Sequence, residues 1–205
     1  MDELPTDDYS RLGTNDVTLR WFDPSTSLLI PGDQRPVWMA LGDRPIHPEL
    51  SPYIDSIQSE QISSGEGYTL GPVIFTTPDW PSGKLDLTLS DGRITFAGEL
   101  LNETDGSIWR GITAWQQTGE PQPTKIFIHI LEDDGTIVAQ WDGISAEWEG
   151  WRPGDTLLQL HEISLSEVPS GTYRVVTGLY DPETLDRWQS TSGQDFIELG
   201  SVTVP

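Results

Sequence analysis

From Lys84 onward, apolar and polar positions alternate with a period of two. Leu85, Leu87 and Leu89 alternate with Lys84, Asp86 and Thr88, as a half-buried β-strand requires. Asp91-Gly92 follows as a hairpin turn pair, and Arg93 to Leu101 resumes the strand. Asp105-Gly106 turns the chain into Ser107 to Gln117. In Lys125 to Leu131 (KIFIHIL), Ile126, Ile128 and Ile130 share one face while Phe127, His129 and Leu131 share the other. Both faces are largely apolar, which predicts a central strand. Asp134-Gly135 then leads into Thr136 to Trp141. Asp155 to Leu165, Gly171 to Tyr180 and Asp195 to Val204 complete the set. Short strands with turns at regular spacing predict a mainly β fold, an antiparallel β-sandwich of jelly-roll or Ig-like type. Its predicted interior includes Ile126, Ile128, Ile130, Tyr173, Val175 and Leu179.

The first 80 residues carry a different pattern. Val17 to Phe22, Ser27 to Ile30, Val37 to Leu41 and Gly67 to Phe75 predict short strands. Ser51-Pro52 offers an N-cap and N1 pair for a helix from about Ser51 to Ser59, carrying Ile54 and Ile57. Such a piece is too thin to bury a core alone. The reading is therefore a small N-terminal α+β segment (1–80) packed on a β-sandwich domain (81–205), with the seam at Asp79 to Gly83.

Charge changes the picture of partners rather than of fold. Thirty-three acidic against 11 basic residues give a net charge of −22. Such a surface repels phosphate, which argues against nucleic acid and anionic membranes as partners. No apolar run approaches the ~20 residues that span a bilayer, so no membrane span is expected in this chain. The absence of cysteine excludes disulfides, cysteine-based zinc sites and a cysteine nucleophile.

Catalytic patterns are sparse. His129 sits in an apolar strand, where a core histidine is expected. His161-Glu162 begins like a zinc-protease motif, but Leu165 stands where the second ligand belongs. No G-x-S-x-G elbow, phosphate-binding loop or Rossmann fingerprint is present. Glu147 and Glu149 could imitate a glycosidase pair, although a solvated acidic loop is the simpler reading. Glu132 to Gly135 lacks the ligand spacing of a calcium loop and reads as a hairpin turn. No catalytic residue, metal site or cofactor is assigned. Asn102-Glu103-Thr104 matches a glycosylation sequon.

Nine tryptophans remain the most informative feature. Flat apolar rings beside carboxylates and amides suit sugars, whose C–H faces stack while their hydroxyls are hydrogen-bonded. Trp109, Trp115 and Trp141 lie on strand-like stretches and are expected in the core. Trp151 opens Trp-Arg-Pro-Gly-Asp and is expected to pin a turn. Trp148 and Trp188 lie in polar segments, where core filling and ligand stacking both stay open. The candidate ligand-binding set is Trp148, Trp188, Glu147, Glu149 and Gln189.

The stretch Lys125 to Gly143, the order WRPGD at Trp151 to Asp155, and VPSGTYRVVTGLYDPET from Val168 to Thr184 resemble one family setting. It is the C-terminal extracytoplasmic β-sandwich region of bacterial membrane glycosyltransferases of the protein-mannosyltransferase type. VTLRWFDPSTSLLIPG from Val17 to Gly32 and RPIHPEL from Arg44 to Leu50 are similar to the segment preceding that sandwich. P-x-G-x-Y places Tyr173 as the clamp of an Ig-like corner. The family's membrane helices and catalytic acidic loops are absent from this chain, so no catalytic residue carries over. The resemblance implies an extracytoplasmic, cell-surface or membrane-anchored location and an accessory role. The expected function is a non-catalytic module binding glycan or cell-surface polypeptide. The alternatives are a self-associating structural subunit of a surface layer or filament, and a carbohydrate-active enzyme using paired carboxylates.

Overall fold

The computed structural model describes residues 20–32, 37–41, 45–57, 68–75 and 84–205. In chain order the strands are β1 (Ser27–Ile30), β2 (Val37–Leu41), β3 (Ile54–Ile57), β4 (Tyr68–Phe75), β5 (Leu85–Leu89), β6 (Gly92–Thr104) and β7 (Ile108–Gln117). There follow β8 (Lys125–Leu131), β9 (Ile137–Gly143), β10 (Thr156–Ser164), β11 (Gly171–Tyr180), β12 (Gln189–Ser190) and β13 (Ile197–Val204). A six-stranded sheet runs β1-β10-β7-β6-β5-β12, and a four-stranded sheet runs β13-β11-β8-β9. All their pairings are antiparallel. The fold is an antiparallel β-sandwich, as the alternation predicts. No helix among the described residues is long and apolar enough to cross a membrane.

The period-two pattern translates directly into layers. Ile126, Ile128 and Ile130 of β8, with Val175 and Leu179 of β11, are fully buried. They meet Leu87, Ile94, Phe96, Trp109, Trp115 and Leu157 of the larger sheet. Trp109 and Trp115 are core residues, as expected, whereas Trp141 on β9 is only partly buried. Tyr173 donates its hydroxyl to the Pro169 carbonyl at 2.7 Å, closing the corner expected from P-x-G-x-Y.

The turns follow the glycine signals with one shift. Gly106 and Gly135 take φ of +91° and +89°, the left-handed backbone that glycine adopts at low cost. In the β5–β6 hairpin, Leu89 pairs with Gly92, so the loop is Ser90-Asp91 and Ser90 takes φ of +51°. Gly92 serves packing instead: a Cβ there would stand 2.7 Å from the Trp188 ring.

The N-terminal region differs from expectation at one element. Ser51–Tyr53 forms a single 3-10 turn, and Ile54–Ile57 continues as a strand, not a helix. Ser51 spends its hydroxyl on the Pro48 carbonyl (2.8 Å) and caps nothing. β-branched Ile54 and Ile57, with Asp55 and Ser56 between them, are weak helix formers, and β4 offers them a pairing edge. β2, β4 and β3 make a small three-stranded sheet. Ile46, Leu50, Tyr53, Ile54 and Phe75 pack on the outer face of the larger sheet, against Leu28, Ala97, Ile112, Leu158 and Leu160. β1, also from this region, is an edge strand of the larger sheet. Within the predicted strand Val17 to Phe22, Phe22 makes an isolated antiparallel bridge to Ala146. Residues 17–19 and the predicted seam at 79–83 lie outside the described residues.

Candidate functional site

The β9–β10 connection carries three of the five candidate binding residues. Glu147 is extended (φ −77°, ψ 112°), and Trp148–Gly150 forms a 3-10 turn. The Gly150 N–H donates to the Glu147 carbonyl and the Trp151 N–H to the Trp148 carbonyl. Glu147 and Glu149 are exposed and Trp148 is half-buried. Trp151 points inward and is buried, pinning the turn as expected.

Residues 20–23 run antiparallel beside this turn. The Glu147 N–H donates to the Trp21 carbonyl (3.0 Å), and the Asp23 N–H to the Ser145 carbonyl (2.7 Å). Trp21, also half-buried, thereby enters the neighbourhood of Trp148. Its position in a strand-like stretch 127 residues away (148 − 21) hid it from sequence reasoning.

Two buried polar groups hold the base of the turn. Gln159 accepts the Ser145 N–H at 2.9 Å and donates to the Ser145 hydroxyl and the Thr26 carbonyl. Asp155, almost fully buried, accepts Arg20 Nε at 2.6 Å and Nη2 at 3.1 Å. It also accepts the backbone N–H of Gly32 and of Arg152, each at 2.9 Å. Gly32 and Gly154 pack backbone to backbone here: a Cβ on Gly32 would stand 2.6 Å from the Gly154 carbonyl carbon. Arg152 donates to the Glu149 and Trp151 carbonyls, fastening the exposed side of the turn. The surface that presents Trp148 is thus preorganised, which lowers the ordering cost of binding.

The remaining two candidates do not join it. Trp188 is completely buried and packs in the sandwich core with Leu87, Ile94 and Leu179. It offers no ring face to a ligand, which corrects the binding role expected from its polar neighbours. Strand alternation explains the error, since Gln189 next to it is exposed. Gln189 lies on β12, five strands from β1 across the larger sheet. It therefore lies on a different element from the Trp148 turn, at the opposite edge of the larger sheet from β1.

Two of the three histidines, His161 and His129, are buried in the sheets. His161 is fully buried, with Nε2 2.7 Å from the Thr113 hydroxyl, which also accepts the Trp115 indole N–H. Burial holds its pKa down at about 3. Its Nδ1 has no hydrogen-bonding partner, but the Trp141 indole stands edge-on with ring centroids 4.4 Å apart. Glu162 points the other way, to Arg110 at 2.8 Å. His129 is buried as expected, on the outer face of the four-stranded sheet beside Phe127, with Nε2 3.9 Å from Asp142 Oδ1. Desolvation lowers its pKa, although Asp142 opposes this.

One carboxyl stands apart, and it is not on the Trp148 turn. Glu99, on β6, faces the interior with its cross-strand partner Thr113. Burial pushes its pKa up to about 7, opposed by a hydrogen bond from Asn102. Its Oε1 is buried without a partner. Two bulges in β6, between Phe96 and Gly98 and between Glu99 and Leu101, turn it inward. The sequence signal was a lone carboxylate inside the apolar run ITFAGELL. The sequon residue Asn102 is engaged at both ends of its amide, donating to the Leu199 carbonyl and accepting the Trp109 indole N–H.

Among the described residues, no group of three or more histidines, aspartates and glutamates is placed to hold a metal ion. Asp134 caps the Thr136 N–H at 2.8 Å in its hairpin, and those hydrogen bonds lower its pKa. No protein-family model, curated protein or solved structure matches the chain.

Proposed function

We propose that the chain is a non-catalytic extracytoplasmic binding module that holds glycan at the Trp148 turn. It would serve beside a membrane glycosyltransferase of the protein-mannosyltransferase type or at the cell surface. The observation that carries the reading is the pairing of a half-buried Trp148 with exposed Glu147 and Glu149 on a turn fixed by Gln159 and Asp155. A ring held in place offers a stacking face at little entropic cost, and the two carboxylates supply acceptors for sugar hydroxyls. The backbone of Trp21 joins the turn, its carbonyl accepting the Glu147 N–H.

Glycan titration followed by calorimetry tests the reading. Stacking and a few wet hydrogen bonds predict affinity in roughly the micromolar-to-millimolar range. Trp148→Ala is expected to abolish the heat of binding and to cost no more than about 1–2 kcal/mol of stability, the worth of a half-buried ring. Failure of the wild-type protein to bind any neutral or acidic glycan at high concentration removes the glycan reading. Labelling of intact cells with an impermeant amine reagent tests the location: the chain should be labelled before lysis.

A further inference from the structure

We propose that β9 is an acceptor edge, which takes up an extended, basic polypeptide segment as an added strand of the four-stranded sheet. The residues involved differ from those of the Trp148 turn, so this inference stands or falls apart from the glycan reading.

The two outer strands of that sheet are unlike each other. On β13 Val202 and Val204 are buried, Ile197 and Leu199 are half-buried, and Asn102 of β6 fastens the strand at the Leu199 carbonyl. On β9 the apolar side chains are left partly exposed. Val138, Ala139 and Trp141 are half-buried, whereas the isoleucines of β8 beside them are fully covered. Ile137, which opens β9, is 44% exposed, and only one other large apolar side chain among the described residues is left so open. An added strand would cover this row as β8 covers its own neighbours.

The backbone permits it. Among the described residues β8 alone pairs with β9. Edges are commonly protected by shortness, proline, lysine or bulges. β1 and β12 are short, at 4 and 2 residues. β9 has 7 residues, no proline and no lysine. Its one irregularity, where β8 residues Ile130 and Leu131 pair with Ala139 and Ile137, sets Val138 apart at the start of the strand. Ala139 to Gly143 remain in regular register for pairing by strand addition.

Charge selects the occupant. The exposed carboxylates of Glu132, Asp133 and Asp134 stand at one end of β9, and that of Asp142 stands on it. A second copy would bring another net charge of −22 against this face. A segment with alternating apolar residues and flanking lysines or arginines satisfies both the apolar row and the carboxylates.

The test uses a synthetic peptide of alternating valine and threonine with lysine at both ends. Two controls accompany it, one with glutamate at the ends and one with proline replacing the central valines. Amide hydrogen exchange is read residue by residue. The lysine-ended peptide is expected to slow exchange in residues 139–143 by about tenfold or more at saturation, with affinity falling as salt rises. Neither control should do so. Asp142→Lys should weaken the lysine-ended peptide about tenfold and favour the glutamate-ended one. Protection confined to the peptide's contact with the Trp148 turn, or no protection in wild type, overturns the proposal. Protection that grows with protein concentration alone would mean a second copy occupies the edge, and would overturn it too.

Discussion

Two carboxylates, Asp155 buried and Glu99 partly so, flank β7 and meet opposite fates. Asp155, beside β1 and β10, receives two guanidinium bonds and two backbone N–H groups. Glu99, where β13 approaches β6, has one oxygen with no partner and a pKa raised to about 7. Burial alone does not decide whether a carboxylate strengthens or weakens a fold; the donors that surround it do. On the Asp155 side the charge fastens distant segments together, linking Arg20 and Gly32 to the Arg152 turn. On the Glu99 side the same group is a local strain that protonation relieves.

The largest expected effect breaks the fastened side. Asp155→Ala removes the bidentate partner of Arg20 and the acceptor of two backbone N–H groups. Loss of one member of a buried pair costs about 3–5 kcal/mol, read as a drop in the denaturant midpoint. Replacing Arg20 and Asp155 together with leucine should cost less, because no charge is then buried. A double cost equal to the sum of the single ones would show that the pair contributes no coupling.

Glu99→Gln sharpens the contrast from the other side. In the folded state burial moves the carboxyl from its ordinary value of 4.5 up to about 7. Between those values the folded chain keeps a proton that the unfolded chain has released, so stability falls as pH rises from about 4.5 to 7. It is flat with respect to this group above and below that window. Partial exposure reduces the effect to about 1–2 kcal/mol. Glu99→Gln should therefore raise stability at pH 8 by that amount and flatten the slope between pH 5 and 7. A variant that is less stable at pH 8 would show that the carboxylate has an ionic partner.

The smallest effect concerns neither site but the field around both. A net charge of −22 repels itself, so added salt should raise the melting temperature at neutral pH. Asp155→Ala should keep that salt response, since its loss is a local one. A flat or falling melting series in the wild type would mean that the surface acids are already paired.

Local features of this fold were legible and distant ones were not. The alternation of Leu85, Leu87 and Leu89, and the turns at Gly106 and Gly135, depend on neighbours a few residues away. Helix and strand were confused at Ile54 and Ile57, because spacing three apart suits a helical face and the pairing edge of β4 is not visible in sequence. Trp188 is buried although its neighbours are polar, because polar neighbours on a strand say nothing about the face it occupies. The carboxyl of Glu99 became unusual only through two bulges, whose positions follow from pairing with β7. Of the candidate site, Trp148, Glu147 and Glu149 lay in one sequence stretch and were found together. Trp21 and the Arg20–Asp155 clasp required the chain to return from far away.

The pairing of β1 with β10 sets a schedule for the ribosome. Leu28 pairs with Leu158 and Leu29 with Leu157, about 130 positions later in the chain. At a synthesis rate of ~5–20 residues per second, the SLLI stretch waits roughly 6–26 s for its partner to be made. During that interval four residues that end up buried are open to any passing strand or chaperone. The β5–β6 and β8–β9 hairpins close with partners only a few residues away and face no such delay. Pairing of this early segment therefore waits for β10, and a nascent chain stalled before Thr156 would carry it unpaired.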